Sequence, residues 1–348
     1  MPMDSRGEEI LPREELESII PRELLEYFPR KEDALSFEYI KELDGEFFMG
    51  YVFSALQGSL QDALELFFQI VVIVLISSMA QNFSGGLGGM LGASAVYVPT
   101  LCAAVVVFSN LNTSFLELNE ALLRVGGMLG GLSAVMGTLF LSSGNVNSAA
   151  VAGGETLLLM NIINFVTDKV LMSVLRICFA LEVISLISSR REISSASSFA
   201  RRSFVFLLSG VMAILSAVFT YQCSVSAGAD SWILRSARFA AGSLPVVGGA
   251  ISEAARTVFG SFELIRSVSG GVGIAVILLC MIPPFVKVVL YRWSLMLAGS
   301  FSEGVGATMV ASVTKSAAEL LGFALAVGSA LGVTGIFTLT LLIKMGVS

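Results

Sequence analysis

Five charged side chains lie within long apolar stretches or at their ends: Arg124, Glu155, Arg176, Glu182 and Lys287. An ionisable group in hydrocarbon is costly, so each is a candidate for an ion pathway, a proton relay or a structural ion pair. Arg124 and Lys287 stand near the ends of their apolar stretches, where a long side chain can reach the headgroup layer. Arg176 and Glu182 are six positions apart, so on one helix they face different sides and cannot pair with each other. Each needs a partner on another helix, and Glu155 with Arg176 is the expected pair. A structural ion pair and a transport site stand as equal readings of these charges. Other chemistry has little to work with. The chain has no histidine, which removes the commonest general base and most zinc sites. Cys102, Cys178, Cys223 and Cys280 are far apart in apolar segments and form no C-x-x-C, the pattern of buried, inert thiols. No G-x-x-x-x-G-K-[ST], G-x-S-x-G or H-E-x-x-H occurs, so the residues predict no ATP site, no enzyme, no cofactor and no metal.

The elements that carry these charges belong to a membrane protein. Of the 348 residues 55% are hydrophobic and only 14% charged, against about 25% charged in a soluble domain; the mean hydropathy is +0.83. The net charge of −6 is local. Residues 1–50 hold 14 acids and 6 bases, the remainder 13 acids and 15 bases. Residues 1–57 therefore read as an acidic polar region and residues 58–348 as a multi-span domain. No basic patch suits a nucleic acid. Residues 1–30 lack a basic start followed by an apolar run, so no cleavable signal peptide is expected in this stretch.

A span needs roughly 20 apolar residues. The pattern predicts spans near Leu60–Ala80, Met90–Ser109 (kinked at Pro99), Ala121–Leu141, Val146–Val166, Val170–Ser189, Phe204–Gln222, Gly271–Tyr291 (broken at Pro283-Pro284) and Ala317–Ile343. A polar turn is expected at Asn110–Glu120, and Val146–Val166 either spans or re-enters. Gly126 and Gly130 sit four apart on a face of small residues where two helix backbones can approach closely. The bases of Arg190–Arg202 mark the cytoplasmic side. Counting back through five spans puts residues 1–57 outside. Counting forward puts the 223–270 region outside as well. The fold class is all-α, a polytopic membrane protein of about seven to eight transmembrane helices.

One connection has its own pattern. In Asp230–Gly260, Arg235 and Arg238 share one side of a short helix with Trp232, Leu234 and Phe239 nearby. Pro245 and Gly248 then break it, and a second short amphipathic arm follows. The arrangement suits an interfacial or re-entrant hairpin, although spacing alone favours a plain connecting loop. Arg235, Arg238, Pro245 and Gly248 are the candidate partner contacts.

The stretches LRSARFAAGSLPVVGGAISEAARTV and GGVGIAVILLCMIPPFVKVVLYRWS resemble the stage III sporulation protein AE family. The shared features are Arg235, Arg238, Phe239, Gly242, the turn from Pro245 to Gly248, Ala254-Ala255 and the Gly-rich start of the next span. The resemblance extends over nearly everything after the first span and is weak before Phe48. It departs at the start, where family members often carry a cleavable signal sequence. The resemblance implies a non-enzymatic membrane component of the apparatus built across the two membranes around the forespore. That apparatus is similar to a secretion system and forms a channel, or feeding tube. The implied location is the mother-cell membrane, in several passes. The implied partners are other membrane proteins, ring-forming proteins and a separate secretion ATPase. The alternative from the residues alone is a secondary transporter with a site at the helix breaks of Pro99, Pro245 or Pro283-Pro284. Such a protein should show an inverted repeat, and the insertion at Asp230–Gly260 has no counterpart in the first half.

Overall fold

A computed structural model of the chain describes residues 45–84, 90–142, 150–187, 191–225 and 270–347. Among these residues there is no strand. The helices are α1 (Gly45–Ser84), α2 (Met90–Ser142), α3 (Leu157–Phe165), α4 (Met172–Ile187), α5 (Arg191–Val225), α6 (Gly270–Gly304) and α7 (Thr308–Val347). Two π-helical turns, Val151–Thr156 and Val166–Leu171, precede α3 and join it to α4. Residues 151–187 therefore form one continuous rod.

Among the described residues, six helical segments are long and apolar enough to cross a membrane. The difference from the expected seven to eight has two sources. The expected turn at Asn110–Glu120 is helical, so α2 runs unbroken for 53 residues. Its polar groups need no turn to be satisfied: Asn110 and Ser114 donate within the helix, to the carbonyls of Val106 and Asn110. Likewise Asp168-Lys169 does not end a helix but sits in the second π turn. The five crossings expected before Arg190–Arg202 become three. The parity of the crossings among the described residues is unchanged.

Side-chain contacts fix the directions. Tyr51 reaches Leu279 and Ser294 reaches Ala63, so α1 and α6 run parallel. Gly328 meets Leu118 and Gly335 meets Val125 and Leu129, so α7 runs along α2 in the same sense. Asn119 meets Asp168 and Phe108 stacks on Phe179, so the 151–187 rod is antiparallel to α2. The α6–α7 hairpin closes through Gly306, whose φ of 88° is open to glycine without strain. Its N–H donates to the Glu303 carbonyl and that of Ala307 to the Ser302 carbonyl, a Schellman closure. Lys315 and Glu303 pair across the turn at 2.5 Å.

The buried centre is drawn from all of these helices, with Leu66, Ile70, Phe115, Leu129, Leu175, Phe179, Leu320 and Leu321 almost fully enclosed. Hydroxyls within it return to the carbonyl one turn back, as Thr167, Ser302, Thr334 and Thr338 do. In an apolar medium that is how a polar side chain stays satisfied. The 1–57 region before Gly45, and the whole 223–270 hairpin beyond Val225 up to Gly270, lie outside the described residues.

Candidate functional site

The polar groups gather at three places. The first surrounds Lys287, which is not near a helix end: α6 continues to Gly304, and the lysine lies mid-helix with its side chain only 17% exposed. It pairs with Glu117 of α2 at 2.7 Å and lies 3.7 Å from Asp62 of α1. Its ammonium also stands over the Tyr291 ring, 5.7 Å from the centroid. The local sequence explains why the site opens here. Pro283 has no N–H, so the carbonyl of Leu279 loses its helical donor. The Tyr51 hydroxyl of α1 donates to that carbonyl at 3.0 Å. A cavity of about 320 Å³ lies beside the break, lined by Lys287, Glu117, Glu120, Arg124, Cys280 and the two prolines among others. Glu120 and Arg124 pair along α2 at 2.9 Å, both well exposed.

The second cluster ties α5 to the bundle. The Glu182 carboxylate of α4 accepts hydrogen bonds from Ser197 of α5 and from Ser316 of α7. Arg201 of α5 pairs with Glu182 at 3.0 Å and also with Glu319 of α7. Phe204 packs on Phe323 one turn further along. Arg201 came from the stretch read as a basic loop; it belongs to a helix and points inward.

The third cluster is on the second π turn. Asn119, 7% exposed, donates to Asp168 at 2.9 Å, and Asp168 pairs with Lys169 at 2.7 Å. The Asn119 Oδ1 and the Arg176 Nε are buried with no hydrogen-bond partner among the described residues.

The expected pair of Glu155 and Arg176 does not form. Both lie on the 151–187 rod, roughly 30 Å apart along it at 1.5 Å per residue. Glu182 did find its partner on another helix, in Arg201. The glycine pair divides. A Cβ on Gly126 would collide with the Asn164 side chain, so α2 and α3 touch there. Among the described residues nothing lies within 4 Å of a Cβ on Gly130. Close approach occurs instead where Gly153 faces the Gly137 backbone and where Gly328 faces Phe285. Arg235, Arg238, Pro245 and Gly248 lie outside the described residues.

Asp62, Glu117, Arg201, Ser316 and Glu319 were missed by sequence reasoning. Asp62 falls inside the first expected span, near its start, and Glu117 inside the expected turn. Only the joint spacing of Glu117, Glu120 and Arg124, at three and four residues, hinted that this stretch continues as a helix.

Comparison with known proteins places these features in context. Residues 36–347 match the family described as stage III sporulation protein AE. A relative from Bacillus subtilis (strain 168), itself described as Stage III sporulation protein AE, is 23% identical over 242 residues. That alignment covers 68% of this chain and 59% of the relative, so less than two thirds of the relative's length is matched. No solved structure matches. The chain belongs to the stage III sporulation protein AE family, and its role lies in sporulation.

Proposed function

We propose that this protein is a non-enzymatic component of a multi-protein assembly in the mother-cell membrane, part of a channel that sustains the forespore. The observation that carries the reading is the spread of exposed apolar side chains on α2. One group runs from Val98 to Leu116, about 27 Å along the helix, which matches the roughly 30 Å of hydrocarbon in a bilayer. Leu141, also exposed, lies about 38 Å further along, beyond the exposed Glu120 and Arg124. Even at a tilt of about 40°, at the top of the usual range, Val98 and Leu141 stay about 50 Å apart across the membrane. Lipid at the Val98–Leu116 group and protein at the Leu141 end suit a subunit of a larger complex. The partners in this reading are other membrane and ring-forming proteins and a separate secretion ATPase. Arg235 and Arg238 remain the proposed contact on the outer side.

The test is photo-cross-linking in sporulating cells, with a photoreactive residue placed in turn at Val98, Val105, Leu116 and Leu141. Protein adducts are expected at one end of α2 and lipid adducts at the other. Lipid adducts at all four positions would remove the reading. A secondary transporter keeps one observation in its favour, the cavity at Pro283-Pro284.

A further inference from the structure

The face that α2 turns to the 151–187 rod changes character along its length. Four contacts define that face: Phe108 with Phe179, Asn119 with Asp168, Gly126 with Asn164, and Gly137 with Gly153. Gly130 and Ser133 fall on it as well, because Gly126, Gly130, Ser133 and Gly137 step by four, three and four residues along one helix. The Phe108 end is closed by a ring stack with 5.6 Å between centroids. From Asn119 to Gly137 the face presents an amide, a hydroxyl and three glycines. Two observations show that this polar part is not packed through. The first is space. A Cβ on Gly126 would collide with Asn164, and one on Gly153 would come within 3.3 Å of the Gly137 Cα. Between these contacts, a Cβ on Gly130 meets nothing within 4 Å among the described residues. The second is an unmet hydrogen bond. Asn119 is only 7% exposed, and its Oδ1 has no donor among the described residues. Exchanging the oxygen and nitrogen of the amide does not help. The nitrogen already donates to Asp168 at 2.9 Å, and an oxygen in its place would face the carboxylate. A buried acceptor without a donor is costly, and folded proteins meet that cost with bound water.

We propose that the seam between α2 and the rod is a hydrated crevice, entered beside Gly130 and ending at Asn119, where a bound water donates to the Oδ1. Water is the occupant that fits this chemistry. A metal cation would compete with Lys169, which already holds Asp168 at 2.7 Å. An anion has no proton to give the Oδ1 and would face Asp168. An apolar molecule leaves the oxygen unmet. Asn161, exposed on the rod, gives the entrance a polar lip. The antiparallel register puts it there: Asn164 stands opposite Gly126, so a residue three earlier on the rod stands close to the level of Gly130. The Phe108–Phe179 stack makes the crevice blind, so it hydrates one face of two spans without opening a path through the chain. All of these contacts lie within one chain, so the crevice and the assembly reading can fail separately.

The test uses the silver ion, which is small, reacts with thiols and travels through water rather than through packed protein. The full chain with Cys102→Ser, Cys178→Ala, Cys223→Ser and Cys280→Ala is placed in phosphatidylcholine nanodiscs. Single cysteines are introduced on the seam by Ser133→Cys and Asn119→Cys, both at buried positions. Val125→Cys and Leu129→Cys are the controls, equally buried but turned towards Gly335 of α7. Each sample meets silver nitrate in chloride-free buffer for graded times, is unfolded in dodecyl sulfate, and its remaining thiol is read with a fluorescent maleimide. A buried thiol away from water reacts only through local opening, so the two seam positions should be consumed at least about tenfold faster than the two controls. Gly130→Leu fills the entrance and should slow both seam positions. Gly127→Leu, at an exposed glycine on another side of α2 with nothing within 4 Å of its Cβ among the described residues, should slow neither. Size-exclusion chromatography confirms that the variants compared elute as the parent does. The proposal is overturned if the seam positions react no faster than Val125→Cys and Leu129→Cys, or if Gly130→Leu slows them no more than Gly127→Leu.

Discussion

Arg201→Ala is the substitution with the largest consequence worked from one contact set. Arg201 is the cation that compensates Glu182, whose side chain is only 17% exposed; the arginine itself is 26% exposed. Removing one partner of a buried pair costs about 3–5 kcal/mol. Here the remaining carboxylate keeps two hydroxyl donors, Ser197 and Ser316, and both charges retain some solvent, so the expected loss is about 2–3 kcal/mol. Glu319 is 59% exposed, and an exposed pair contributes about 0–1 kcal/mol. The two acids therefore predict different outcomes around one arginine. Denaturation of the purified protein in detergent, followed by circular dichroism, measures each variant and the double variant with Glu182→Gln. Arg201→Ala should be strongly destabilising and Glu319→Ala nearly silent. Adding Glu182→Gln to Arg201→Ala should recover part of the loss, because a neutral amide no longer needs the cation. Equal effects of Arg201→Ala and Glu319→Ala, or strict additivity in the double variant, would refute the argument that Glu182 is the partner that matters.

Gly126→Leu should lower the yield of folded protein because the side chain meets Asn164, whereas Gly130→Leu should leave the isolated chain unchanged; both are read by size-exclusion chromatography in detergent. Tyr51→Phe should cost about 1 kcal/mol by stripping the Leu279 carbonyl of its donor, seen as a lower denaturation midpoint. Gly306→Ala forces a Cβ into the left-handed region and should cost about 1–2 kcal/mol, with the α6–α7 turn becoming the first site of proteolysis. Single cysteines at Ser195 and Gly304 should share one side of the membrane by impermeant thiol labelling. Labelling of only one of them from outside intact cells would contradict two crossings, by α5 and α6, between these positions.

Composition alone determined that this is an all-helical membrane protein, because a chain with so few charges and such long apolar runs can satisfy its backbone in lipid only as helices. The same local information marked Glu182 and Lys287 as costly groups in need of partners. It did not name those partners. Glu182 reaches Arg201 across a helix boundary and Lys287 reaches Glu117 and Asp62 at separations of 170 residues and more, and no local period encodes such a meeting. Helix continuity was also a tertiary decision. Asn110–Glu120 and Asp168-Lys169 carry polar residues that would end a span facing lipid. In the folded bundle the Asn119 amide donates to Asp168 and Lys287 donates to Glu117, so these groups find partners on neighbouring elements and the helices run on. The glycines show the same division. Small residues at four-residue spacing could be read from the chain as a close-packing face, but which of them touches depends on where the next helix lies. Asn164 fills the space at Gly126, and open space remains at Gly130.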